Sequence, residues 1–192
     1  MLLYLMRHGQ TDWNEQGLVQ GASDIPMNDT GRGQARQAAD ALKDIPFDLV
    51  LTSPLSRARE TAELVTAGRN IPIRVSENLK EMSFGIYEGK TSRMYPGIRE
   101  IFLHPERYVP IGGESFEDLD KRCRAFLHQA AELEGQYSCL LVCTHGAAIR
   151  GLLRAIQNTP IRDFWAGPSQ PNCAVNLLQC RSGKFYVLRG PR

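Results

Sequence analysis

Short, wholly apolar runs alternate along the chain with amphipathic stretches, which is the pattern of an α/β fold. Leu2 to Met6 has no polar alternation and reads as a strand covered by helices on both faces; it stops at Arg7-His8-Gly9. Phe47 to Leu51, Ile71 to Val75 and Cys139 to Cys143 read as further strands. Ala174 to Gln179 and Phe185 to Leu188 flank a Ser182-Gly183 turn and are expected to pair antiparallel, which makes a mostly parallel sheet mixed.

Helical spacing fills the intervals. Thr30 is placed to cap a helix with Ala35, Ala38, Ala39 and Leu42 on its buried face. Ser53-Pro54 reads as the N-cap and first residue of a helix running to Gly68, with Leu55, Ala58, Ala62 and Val65 as its stripe and Arg57 off the stripe in the first turn. Thr91 to Leu103 forms a weaker helix. Ser115 with Asp118 starts a long one that ends at Gly135. Ile149, Leu152, Leu153 and Ile156 make the stripe of a helix that follows His145. No repeat or linker divides the chain, so residues 1–192 read as a single domain.

Charge narrows the partners. The formal net charge is +2, from 23 Lys and Arg against 21 Asp and Glu, so no global field favours nucleic acid or an anionic membrane. The five cysteines are odd in number and lack zinc-type spacing, which suits reduced, buried thiols. The first six residues, Met-Leu-Leu-Tyr-Leu-Met, lack a basic leader and are too few for a signal peptide or a membrane span, so a cytoplasmic protein is expected. The sequence leaves the oligomeric state open.

In open α/β sheets ligands bind beyond the carboxyl ends of the strands. Arg7 and His8 follow the first strand, Arg57 the second, Glu81 the third, and His145 the strand ending at Cys143, so all five can meet in one crevice. Both histidines precede glycine, which lets backbone approach a ligand. Together the two arginines and one protonated imidazole would bring about three positive charges to a phosphate dianion. The other imidazole is then free to attack phosphorus. For that role His8 must be neutral at one nitrogen while the other donates to a fixed acceptor. His145 is expected to stay charged, or at least to donate to a non-bridging oxygen, and the N–H groups of the helix behind it form a candidate oxyanion cradle. Glu81 is the acid placed to protonate the leaving alcohol and afterwards to activate water. This scheme requires no metal and no other cofactor.

Taken singly, each group has a plainer explanation. His8 could be structural, Arg57 could pair with Glu60 one turn on, and Glu81 could be surface. His104 and His128 have no identifiable partner. Phe84, Tyr87, Tyr95 and Tyr108, with Arg93 or Arg107, read equally as a substrate entrance or as packing and solvent contacts.

Beyond this, the chain resembles the phosphoglycerate-mutase-like branch of the histidine phosphatases over nearly its whole length. The resemblance rests on Leu5-Met6-Arg7-His8-Gly9-Gln10-Thr11-Asp12-Trp13-Asn14, Gln20-Gly21, Asp24-Ile25-Pro26, Gly31 and Gln34-Ala35. It continues through Thr52-Ser53-Pro54-Leu55-Ser56-Arg57-Ala58, Glu81, Phe84-Gly85, Glu88-Gly89, Gly113-Glu114-Ser115 and Thr144-His145-Gly146. It implies a three-layer α/β/α sandwich around a mostly parallel mixed sheet. In it His8 becomes phosphorylated, Arg7, Arg57 and His145 hold the phosphoryl group, and Glu81 donates the proton. Asn14, Gln20, Gly21 and Gly146 would bind substrate or phosphate. Gln10, Met27 and Tyr87 stand where the family commonly has Glu, Leu and Trp; they bear on substrate preference and leave the catalytic groups in place. The implied substrate is a small phosphorylated metabolite. The mutases of this branch usually carry a longer insertion after the Glu-Gly pair, whereas here only Lys90 to Ile111 precedes Gly112-Gly113, which favours hydrolysis. A cofactor-dependent phosphoglycerate mutase and a phosphate-binding regulatory protein with little turnover are the alternatives.

Overall fold

In the computed structural model, which describes residues 1–191, six strands form one mixed sheet flanked by helices on both faces. The strands are β1 (Leu2–Arg7), β2 (Leu49–Thr52), β3 (Ile73–Val75), β4 (Cys139–Thr144), β5 (Val175–Arg181) and β6 (Lys184–Arg189), in the order β3-β2-β4-β1-β5-β6. The first four are mutually parallel; β5 pairs antiparallel with β1 and β6 with β5. The expected sandwich is what forms.

Burial on both faces explains why β1, β2 and β4 are apolar without alternation. Leu3, Leu5, Leu140 and Val142 point into one layer, beneath α5 (Phe116–Ala131) and α6 (Gly146–Gln157), where they meet Leu119, Phe126, Ile149 and Leu152. Tyr4, Met6, Leu141 and Cys143 point into the other, with Ala35 of α2 (Asp29–Leu42) and Ala62 and Val65 of α3 (Ser56–Val65). The five cysteines are free, and all but Cys173 are buried. The β5–β6 turn works as expected: Ser182 and Gly183 both have positive φ, 52° and 72°, the pair of conformations that a two-residue hairpin of matching twist needs.

Two helix starts differ from the sequence expectation. Helix α2 is capped by Asn28, whose side chain accepts from Gly31 N–H, two residues before Thr30. Helix α3 begins at Ser56, because Ser53 is drawn into a tight turn with Leu55 and Arg57 must reach back to the loop before α2. At its other end α3 stops at Val65, short of Gly68. The weak helix over 91–103 is helical only as α4 (Pro96–Leu103), while Ser115 caps α5 as its spacing indicates. One short helix, α1 (Asp12–Glu15), was not expected; a capping box between Thr11 and Asn14 sets it. Among the described residues no helix is long and apolar enough to cross a membrane.

Candidate active site

Strands β1 and β4 run side by side with Arg7 opposite Thr144, and both end there. The chain therefore delivers His8 and His145 to adjacent places, with ring centroids 5.1 Å apart. A cavity of about 560 Å³ opens over these strand ends. Of the nine residues anticipated from sequence, eight line it: Arg7, His8, Asn14, Gln20, Gly21, Arg57, Glu81 and Gly146. The ninth, His145, is fully buried beside His8.

His8 is fixed by backbone. Its Nδ1 lies 2.7 Å from Gly9 O, a group that can only accept, so Nδ1 carries the proton and Nε2 keeps its lone pair. Gly9 is held in turn by its N–H donating to Thr61 Oγ1 at 3.0 Å, while the Thr61 hydroxyl donates to Arg57 O at 2.6 Å. A Cβ on Gly9 would come within 2.6 Å of Gly31 O and Met27 Sδ. The glycine here serves close packing of the chain against α2, a correction to the ligand-approach reading; Gly146, which lines the cavity, fits that reading. Burial pushes the His8 imidazole well below its ordinary pKa, and the Arg7 and Arg57 charges push it further the same way. A neutral ring results.

The two guanidiniums are held by carbonyls. Arg57, fully buried, donates through Nη1 to Ser23 O at 2.7 Å and through Nη2 to Gly21 O at 2.8 Å. Arg7 donates through Nη1 to Gln170 O at 2.6 Å. Among the described residues neither forms an ion pair, and the Nε of each is buried without a partner. The alternative reading of Arg57 as an ion-pair partner of Glu60 does not hold, since Glu60 binds Arg32 at 2.6 Å. Burial pushes Arg57 down to about 10 and lowers Arg7 as well, and both remain cations at neutral pH. Two desolvated positive charges without carboxylate partners make this crevice suited to a dianion.

Glu81 sits on the N-terminus of α6. Its carboxylate accepts from Ala147 N at 3.1 Å, Ala148 N at 2.9 Å and its own neighbour Met82 N at 2.9 Å. The N–H groups foreseen as an oxyanion cradle are thus partly occupied by the acid, because a carboxylate is the natural cap of a helix whose N-cap, His145, offers no side-chain bond. Asn14 Oδ1 accepts from Thr11 N and from Asn172 Nδ2, both at 3.2 Å. Gln20 Oε1 accepts from Thr11 Oγ1 at 2.9 Å, and its side chain borders the cavity.

His145 departs from the charge expected of it. Burial, then Arg57, His8 and Arg7, push its pKa well below the ordinary value. Its Nε2 lies 2.7 Å from Ser53 Oγ, and its Nδ1 is buried with no partner.

Sequence reasoning assigned no role in the site to several residues. Glu88 accepts from Ala22 N, Ser23 N, Ser23 Oγ and Phe84 N at 2.5–3.0 Å, fixing the loop whose carbonyls hold Arg57. Gln170 Oε1 accepts from buried Asn176 Nδ2 at 2.8 Å, which anchors the carbonyl that meets Arg7. Away from the two histidines the cavity wall is Phe84, Ile98, Phe102 and Trp165, with Arg150 over the Trp165 ring at 5.8 Å. Of the aromatic residues offered as an entrance only Phe84 takes part; Tyr87 and Tyr108 border a separate hollow with Arg107. Among the described residues no group of three or more His, Cys, Asp or Glu side chains is placed to hold a metal ion.

Comparison with known proteins decides the family. Residues 3–190 match the model of the histidine phosphatase superfamily (branch 1). The chain belongs to that superfamily. Its relatives include the uncharacterized phosphatase PhoE of Bacillus subtilis, 38% identical over 79% of this chain and 75% of its own. The adenosylcobalamin/alpha-ribazole phosphatase of Salmonella typhimurium is 32% identical over 93% of this chain and 92% of its own. Among solved structures, YhfR of Bacillus stearothermophilus superposes with a TM-score of 0.92 at 33% identity, over 98% of this chain and 95% of that one. A mycobacterial glucosyl-3-phosphoglycerate phosphatase, solved as a complex with VO3, superposes with a TM-score of 0.88 at 28% identity, over 98% of this chain and 97% of its own. As a histidine phosphatase, the chain is a hydrolase acting on a small phosphate ester.

Proposed function

We propose that the chain is a metal-independent phosphomonoesterase that passes the phosphoryl group of a small metabolite through His8. The observation that carries the reading is the setting of His8, tied at Nδ1 by Gly9 O, beside the guanidiniums of Arg7 and Arg57, neither of which forms an ion pair among the described residues. The substrate phosphate replaces water around Arg7 and Arg57, with Asn14 and the Gly146 N–H as further donors. Gln20 and Gly21 shape the wall beside it. His8 Nε2 attacks phosphorus in line, the P–O bond to the leaving alcohol breaks, and Glu81, protonated in the substrate complex, passes that proton to the departing oxygen and is left as a carboxylate. The Glu81 carboxylate then takes a proton from water as that water attacks the phosphohistidine. This releases inorganic phosphate and restores neutral His8. Glu81 is suited to both steps because the α6 amides set its orientation and leave no freedom to swing away.

The apolar wall of Phe84, Ile98, Phe102 and Trp165 suits a leaving group with a hydrophobic or planar portion. Some relatives are named probable phosphoglycerate mutases, one of them 30% identical over 96% of this chain. Hydrolysis is favoured here because the segment from Lys90 to Ile111 supplies only the short helix α4 and one 3-10 turn at Pro105–Arg107, and the cavity stays open to water.

Single-turnover quenching with phosphomonoesters tests the reading. An acid-labile phosphate should appear on the wild-type protein, disappear in His8→Ala, and form at the same rate with chelator present. Full turnover by His8→Ala would end it, and isomerisation of a phosphorylated hydroxy acid faster than phosphate release would replace hydrolysis by mutase chemistry.

A further inference from the structure

We propose that Ser53 is a positioning residue for His145: its hydroxyl donates to Nε2 and thereby holds the ring in the tautomer with its proton on Nδ1. This deepens the phosphoryl-transfer reading and rests on it. The placement follows from the sheet. Thr52 is in register with Cys143, and Ser53 N donates to Cys143 O at 3.0 Å, so Ser53 leaves β2 alongside the end of β4. There its Oγ is 2.7 Å from His145 Nε2.

The hydroxyl's own partners decide the direction of that bond. A serine offers one proton and two lone pairs. Leu55 N donates to Ser53 Oγ at 3.3 Å, the local turn that Ser-Pro sequences favour, and this occupies a lone pair. Ser53 is fully buried, and among the described residues the only atom bonded to Oγ that can accept its proton is His145 Nε2. The opposite tautomer would leave a buried hydroxyl proton with no acceptor, a costly arrangement. It would also leave Nδ1, the buried ring atom without a partner, as a bare lone pair beside a site suited to an anion.

Charge on the ring offers no escape from this choice. The cations Arg57 of α3, Arg7 at the end of β1 and Arg122 of α5 face it, with neutral His8 just beyond β1 and Glu81 on the amides of its own helix. Burial and these cations keep the imidazole neutral in the free protein. A neutral ring has one N–H, and the serine assigns it to Nδ1, the ring atom that is buried and without a partner. A phosphoryl oxygen is the acceptor it awaits. His145 can thus stabilise the developing charge without first acquiring a proton.

The test reads the tautomer directly. Two-bond ¹H–¹⁵N spectra of the full-length, ligand-free protein at neutral pH, with His145 assigned by its loss in His145→Gln, should show Nδ1 protonated and Nε2 bare. Protonation at Nε2, or at both nitrogens, overturns the proposal. In Ser53→Ala the ring should become a mixture of tautomers, and kcat should fall about 10- to 100-fold with a smaller change in KM. Ser53→Thr, which keeps the hydroxyl, should restore the wild-type spectrum. An unaltered spectrum or unaltered kcat in Ser53→Ala also overturns it, and if that variant does not fold the wild-type spectrum alone decides. Failure to detect a phosphohistidine would remove the catalytic reading and leave the tautomer assignment standing, so the two are separable.

Discussion

The amide of His8 donates to the carbonyl of Thr144 at 2.9 Å, one residue before His145. This is the last rung of the parallel β1–β4 ladder, and it puts the two imidazoles side by side. Slipping the register by one residue would move one ring about 3.3 Å relative to the other and turn alternate side chains to the wrong layer. The separation of the rings is therefore as stable as the centre of the sheet.

Glu88→Gln should weaken the protein and its grip on substrate together. The variant places an amide NH2 among donors at Ala22, Ser23 and Phe84 that need an acceptor. A loss of about 1–3 kcal/mol is expected, which corresponds to roughly 2–4 °C in Tm per kcal/mol for a chain of this size. KM should rise, because the Gly21 and Ser23 carbonyls that hold Arg57 lie on the loosened loop. Thermal melts and steady-state kinetics check both; a variant with wild-type Tm and KM contradicts the account.

Stability should fall on mild acidification. The folded pKa values of His8 and His145 lie below the ordinary value, so the unfolded chain binds more protons as pH drops through about 6.5. Their contribution is fully present above that pH and declines as pH falls towards the folded pKa values. Chemical denaturation between pH 7.5 and 5, on scales of roughly these values, should show the decline, and His8→Asn with His145→Gln should flatten it. An equally steep decline in the double variant would assign it to other groups.

An oxyanion that mimics phosphate should bind and stabilise. Orthovanadate at about 100 times its Kd should add about 2.7 kcal/mol to the stability of the folded state. Arg57→Ala, which removes a cation without a carboxylate partner, should abolish most of the Tm increase. A Tm that ignores vanadate in the wild-type protein would speak against a dianion site.

Trp165→Ala should change selectivity more than chemistry. The ring packs on Phe102 at 4.7 Å, and its Nε1 donates to Ile101 O at 3.0 Å, so it both lines the cavity and ties α4 in place. For aryl phosphates kcat/KM should drop roughly 3- to 10-fold, the size of an aromatic contact, with little effect on small aliphatic phosphates. Equal losses on both substrate types would mean that the ring serves only to support the fold.

Much of this site could be read from the chain because Arg7, His8 and His145 sit at or just beyond a strand end, with Arg57 and Glu81 five and six residues past one. Arg7, His8 and His145 follow apolar runs directly, and the two arginine-bearing or histidine-bearing ends are brought together by a topology that the α/β alternation implies. Groups that position those residues carried no such sign. Ser53, Thr61, Glu88 and Gln170 act through partners 52 to 163 residues away, and no local pattern marks a long-range hydrogen bond. Ser53-Pro54 even imitates a helix start, but Ser53 Oγ turns back to Leu55 N and to His145 and the helix begins at Ser56. Trp165 stands in the irregular stretch between α6 and β5, where periodicity says nothing.

Glu88 fastens the Ala22–Ser23 loop and the Phe84 turn with a single carboxylate, and Gly21, at φ 57°, leaves no space for a side chain against it. These two segments consequently move as one rigid floor. The opposite wall is outside that clamp: Ile98 and Phe102 come from α4, whose flanking residues Met94, Leu103 and Val109 lie exposed, so changes there leave the floor beneath Arg57 untouched.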